Sequence, residues 1–182
     1  MNVTIRAANP ADAGSIARVH IDSWRTTYAG VVPAEYLASL SYQRRESGWS
    51  KVFTANEPAR SIFVAETEGS DVVGFANGGP EREGDSTYRG ELYAIYILQE
   101  HQNRGLGRHL VSAVTQRLLA DGFSSMLVWV LEDNHRARRF YESLGGEQVG
   151  RKSVEIGGAD LVEVSYGWKD IARLVVEPAR AT

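Results

Sequence analysis

The stretch Glu91-Leu-Tyr-Ala-Ile-Tyr-Ile-Leu-Gln-Glu-His-Gln-Asn-Arg-Gly-Leu-Gly107 sets the frame for the rest of the chain. From Leu92 to Leu98 it is apolar or aromatic on both faces, the composition of a strand in the middle of a sheet. Gln102 to Gly107 then form a glycine-bearing turn. Leu110, Ala113, Val114 and Leu118 follow at helical spacing, so a helix is expected over about residues 105–120. Backbone amides freed at a helix N-terminus, with the positive end of the helix dipole, bind phosphate oxygens. A glycine-rich turn before a helix is also a plain structural device. Two familiar phosphate motifs do not fit: Gly107 is followed by Arg108-His109 rather than the Lys-Ser/Thr of a Walker loop. Leu110 stands where a dinucleotide fingerprint needs Gly or Ala.

Toward the N-terminus, Ser61 to Glu66 and Val72 to Ala76 read as an antiparallel pair joined by the turn Glu68-Gly-Ser-Asp71. Gly78 to Gly90 is rich in glycine and charge and is expected to be a mobile loop. Residues 2–7 suit a strand. Asn9 is a plausible N-cap, with Pro10 at the first helical position and Asp12 in the first turn. Ala13, Ile16, Ala17, His20, Trp24 and Tyr28 then mark a helix over about 10–27, and a second helical region covers about 33–55. Toward the C-terminus, Met126 to Leu131 is a further buried strand, and a helix follows at about 134–144. Residues 147–156 and 160–168 make a hairpin at Gly157-Gly158. The expected fold is therefore α/β of the α+β kind: a mixed, mostly antiparallel sheet of about seven strands covered by helices, not a doubly wound sheet.

Composition narrows the function classes. The 182 residues carry 20 Lys+Arg against 23 Asp+Glu, a net charge of −3, which lacks the basic stripe of a general nucleic-acid binder. No cysteine is present, which excludes disulfides, a thiolate nucleophile and Cys-ligated zinc. The four histidines (20, 101, 109 and 135) show no zinc-site spacing, and no Gly-x-Ser-x-Gly elbow occurs. The apolar run Met126–Leu131 is far short of the roughly 20 residues a membrane helix needs. With no signal-peptide pattern at Met1 to Arg6, a cytoplasmic protein without membrane or nucleic-acid partners is the expectation.

A second constellation is Asn134-His-Arg-Ala137-Arg-Arg-Phe140-Tyr141-Glu-Ser-Leu144-Gly145-Gly146. Residues 137, 140, 141 and 144 fall within an arc of about 100° at helical pitch, which turns Tyr141 inward. Read alone, Tyr141 is equally a core tyrosine, and Asn134 a helix cap.

Taken together, the two constellations resemble the GNAT superfamily of acetyl-CoA-dependent N-acetyltransferases. Its glycine signature, Gln/Arg-x-x-Gly-x-Gly/Ala, is met from Gln102 to Gly107. Its later Asn-x-x-Ala-x-x-Phe-Tyr is met at Asn134, Ala137, Phe140 and Tyr141. The stretch Val19 to Gly30 is similar to the first helix of many members, and the likeness runs in order from about residue 3 to 168. The chain departs from the family at Gln99 (often Pro), Asn103 (often Gly) and Gly146 (commonly Phe), none of which removes a needed amide.

The resemblance implies one acetyltransferase domain over 1–182, with 169–182 as an extension, and strands 4 and 5 (91–98 and 125–131) splayed around the cofactor's pantetheine arm. Backbone groups of Ile95, Tyr96 and Ile97 would hold that arm, and the pyrophosphate would lie on Gln102, Asn103, Arg104, Gly105, Leu106, Gly107, Arg108 and His109. Asn134 would touch the cofactor, and Tyr141 would protonate the departing thiolate. Glu91 is the candidate base, its other reading being a strand-end carboxylate in solvent. Trp24, Tyr28, Trp49 and Tyr93 are candidates for the acceptor pocket or for core and rim. The implied co-substrate is acetyl-CoA, without a metal, and the acceptor a small-molecule or protein amine. A longer acyl chain, a non-catalytic acyl-CoA sensor and the family's frequent homodimers remain open alternatives.

Overall fold

The structure, a computed structural model, describes residues 3–55 and 60–176. Asn2 and residues 177–182 of the expected strand and C-terminal extension lie outside the described residues. Among the described residues, seven strands form one sheet: β1 (Val3–Ala7), β2 (Ser61–Thr67), β3 (Val72–Pro80), β4 (Gly90–Ile97), β5 (Met126–Leu131), β6 (Glu147–Ile156) and β7 (Ala159–Trp168). Their order is β1-β2-β3-β4-β5-β7-β6, and every pair is antiparallel except β4–β5. The expected mixed, mostly antiparallel sheet is the observed one.

Among the described residues five α-helices flank the sheet: α1 (Ala13–Thr27), α2 (Ala34–Ser39), α3 (Tyr42–Thr54), α4 (Leu106–Ala120) and α5 (His135–Ser143). Asn9 accepts from the Ala11 amide while Asp12 accepts from Asn9, so the start expected at Pro10 is capped on both sides. Its first turn, Pro10–Asp12, is 3-10 rather than α. The single helical region expected over 33–55 is two helices. Leu40 and Ser41 turn extended, and the Ser41 hydroxyl accepts from the Arg44 amide to start α3 anew. The loop expected over 78–90 is shorter, because β3 pairs with β4 as far as Pro80. The remaining turn is tied down by the Glu81 carboxylate, which accepts from the amides of Glu83, Gly84 and Asp85.

The main core lies on both faces of the sheet's centre. Leu110, Val114 and Leu118 of α4 pack one face and Ile16, Ala17 and Val19 of α1 the other, all essentially inaccessible to solvent. Ile171 and Leu174 join this core beyond the last strand, and Val176 is held by the Ser112 hydroxyl of α4. No helix among the described residues is long and apolar enough to cross a membrane.

Candidate active site

The parallel pairing of β4 with β5 is short: Gly90 faces Met126, Glu91 faces Leu127, and Leu92 faces Val128. Beyond Leu92 the two strands part. The cause is local. In the β3–β4 ladder Asn77 faces Ala94 and Gly78 faces Leu92, so Tyr93 is the extra residue of a bulge, which bends its strand. The gap opens into a cleft of about 1230 Å³ lined by β4 from Tyr93 to Ile97 and by Val128, Trp129 and Val130 of β5. Leu98 donates to Val73 of β3, whereas the Ile97 carbonyl accepts from Gln102 Nε2 at 2.7 Å on the opposite edge. Strand alternation therefore turns the polar backbone groups of Ile95 and Ile97 into the gap and those of Tyr96 toward β3.

At one end of the cleft the turn before α4 carries unspent donors. Among the described residues, none of the amides from Asn103 to Gly107 hydrogen-bonds another protein group, while Arg108 and His109 already donate to the Gly105 carbonyl at 3.0 and 3.3 Å. The amide cradle is thus shorter than the expected run to His109. Gly105 sits at φ +80°, a left-handed conformation open to glycine at no steric cost. Arg136 of α5 donates to Asn103 Oδ1 at 3.0 Å, and Arg108, Arg136 and Arg139 line this end. Arg104 and His109 do not line the cleft, and Leu106 packs into the core instead.

Helix α5 brings Asn134 and Tyr141 to the same cleft. Asn134 caps the helix by accepting from the Ala137 amide at 3.1 Å, and its Nδ2 lies 3.5 Å from the Tyr28 hydroxyl. Tyr141 is 4% exposed, against Phe140, Tyr166 and Trp168. It is at once a core ring and a cleft residue. Burial first, then the nearby Tyr28, pushes its phenol above the usual range, so the proton stays on at neutral pH. Tyr28 and Tyr96 are raised by burial in the same way.

The other end is aromatic. Tyr28 and Tyr93 line it, but Trp24 stands behind Tyr28, edge-on at 5.0 Å. Trp49 belongs to the core, edge-on to Phe75. His20 lies among Trp24, Trp49, Phe75 and Tyr96, and burial, with a smaller push from Arg45, lowers its imidazole to about 3 and leaves it neutral. Glu91 is neither on the cleft wall nor in solvent: it is 2% exposed, and both its oxygens accept from the Arg82 guanidinium. That corrects the strand-end reading. Sequence reasoning missed Trp129, Arg136 and Arg139. The arginines were findable, since they stand three apart on one face of α5. Among the described residues no group of three His, Cys, Asp or Glu is placed to hold a metal.

A model of the acetyltransferase (GNAT) family matches residues 20–146. The uncharacterized N-acetyltransferase YuaI of Bacillus subtilis (strain 168) is 44% identical over 172 residues, 94% of this chain and 96% of that protein. Among solved structures, an N-acetyltransferase from Staphylococcus aureus Mu50 covers 94% of this chain and 99% of its own, at a TM-score of 0.73 and 20% identity. YncA from Salmonella typhimurium, solved with its cofactor acetyl-CoA, covers 100% and 99% at a TM-score of 0.69 and 22% identity. At those identities the structural likeness concerns the fold.

Proposed function

The chain belongs to the GNAT family of acetyltransferases, and from that premise we propose that it moves acetyl from acetyl-CoA directly to a primary amine, with Tyr141 as the general acid. One observation carries the reading: a strand edge with the backbone groups of Ile95 and the amide of Ile97 left free runs from an uncommitted amide cradle at 103–107 into a cleft shared with a protonated Tyr141. The acetyl-CoA bound by the fold neighbour from Salmonella typhimurium supports it.

Acetyl-CoA supplies the activated thioester; the rest is the work of side chains and amides. The cradle at 103–107, with Arg108, Arg136 and Arg139, holds phosphate oxygens at the N-terminus of α4. Ile95 and Ile97 offer the strand edge to an amide-bearing arm, and the Ile97 amide polarises the acetyl carbonyl, a donor type worth about 2.7–4 kcal/mol in a transition state. Asn134, on the cleft wall, would contact the arm. The phenol of Tyr141 gives its proton to the departing sulfur, so no covalent enzyme intermediate is needed and the whole reaction runs within one domain.

The test is Tyr141→Phe, assayed by release of free CoA thiol with a panel of primary amines. Turnover should fall about 100-fold, as for loss of a general acid, with acetyl-CoA affinity within about threefold, a margin small against the about 1.4 kcal/mol of a tenfold change. Unchanged turnover would remove Tyr141 from the role. A wild-type chain that binds acetyl-CoA and acetylates no amine would be the sensor instead.

A further inference from the structure

The charges next to the aromatic end of the cleft are not all committed. Glu163 stands on β7 between Leu131 of β5 and Lys152 of β6, its cross-strand neighbours. It is half-buried, and among the described residues its carboxylate has no hydrogen bond and no ion-pair partner within 4.0 Å. Trp129, two residues before Leu131 and so on the same face, lines the cleft. Glu163 stands just behind the residues that line the cleft, and its charge adds, after burial, to the rise of the phenol of Tyr28 on the cleft wall.

The nearby cations are engaged elsewhere. Lys152 pairs with Glu83 from the 81–89 turn and lies 3.9 Å over the Trp129 ring. Arg82 holds Glu91 and lies 4.2 Å over the Tyr93 ring. Glu83 and Glu91 are thus each held by a cation, Arg60 stands 5.2 Å over the Tyr93 ring beside Arg82, and among the described residues Glu163 is the carboxylate of this group without a direct partner.

Resting on the acetyl-transfer reading, we infer that Glu163 receives the acceptor's ammonium group and takes its proton, which selects cationic primary amines with an apolar or aromatic body. An N–H bond of the ammonium breaks, the electron pair stays on nitrogen, and the proton bonds a Glu163 oxygen. The nitrogen then bonds the acetyl carbon as the carbon–sulfur bond breaks, and the sulfur takes the Tyr141 proton. A second amine proton restores the Tyr141 phenol through solvent, and Glu163 releases its own to solvent. Glu91 is the poorer candidate, since Arg82 occupies both its oxygens at the paired foot of the splay.

Burial raises the Glu163 carboxyl above the usual range; Lys152 and Arg82 oppose the shift, and Glu83 and Glu91 add to it. Falling pH protonates it and removes the base, so kcat/KM should carry an acidic limb above the ordinary carboxylate range.

The experiment takes an arylalkylamine, a diamine and an amino-acid ester as probes with acetyl-CoA. It compares wild type with Glu163→Gln and Glu163→Asp across pH 5–9. For an amine the wild type acetylates, Glu163→Gln should lower kcat/KM about 100-fold and abolish the acidic limb. It should also weaken amine binding to the CoA-bound protein at least tenfold, with CoA affinity unchanged. Glu163→Asp should keep the limb with a smaller loss. A Glu163→Gln variant within threefold of wild type, with its limb intact, overturns the inference and leaves the acetyl-transfer reading standing. A wild type that acetylates no amine overturns both.

Discussion

Tyr141 shows how surroundings make a residue chemical. A phenol ionises near pH 10 in water; here burial against Phe140, Tyr166 and Trp168 moves that ionisation higher. Tyr141 should therefore impose no alkaline limb on kcat below about pH 10, and a limb there that vanishes in Tyr141→Phe would contradict the account. Asp12 makes the complementary case for stability. Its oxygens accept from Arg6 at 2.8 and 2.9 Å, and Arg6, with help from the Asn9 amide, holds its carboxyl below the usual range. Asp12→Asn should cost about 2 kcal/mol in urea unfolding at pH 7. A group depressed on folding stabilises above its unfolded value, near pH 3.9. The wild-type advantage should therefore shrink as pH falls through and below about 4; a difference constant from pH 7 to pH 3 would refute the assignment. At this scale the sequence was legible where local spacing is the signal, as at Asn9, Asn134 and the inward-facing Tyr141. It was silent on the bond from Arg82 to Glu91, because the burial of Glu91 depends on how a loop folds back over the sheet.

Among the elements, the β3–β4–β5 join decides what the site is. The bulge at Tyr93 ends the parallel pairing and opens the cleft. Gly78 lies opposite it, and a Cβ there would come within 2.6 Å of Val114 in α4 and 2.7 Å of the Glu91 carbonyl. The sheet can carry α4 this close only without a side chain. Gly78→Ala should cost about 2 kcal/mol by overpacking, lowering Tm by about 4–8 °C. An unchanged Tm would mean that α4 can lift away freely. The strands and their order of types were readable from apolar runs and glycine turns. The bulge was not, since it exists only as a mismatch between two strands' registers. Nor was the break at Leu40–Ser41, where no proline or glycine marks the chain and a serine cap alone restarts the helix.

For the molecule as a whole, the chain puts an amide cradle, a parted strand edge and a buried tyrosine along one cleft of about 1230 Å³. The central claim is that acetyl-CoA fills this cleft. The direct measurement is thermal melting with acetyl-CoA at about 100 times its Kd, with ADP and CoA as controls. Ligand that binds only the folded chain should add about 2.7 kcal/mol, a rise in Tm of roughly 5–10 °C, with CoA close behind and ADP well below. No rise at millimolar acetyl-CoA would contradict the account, leaving a family fold whose cleft does not take the family's co-substrate.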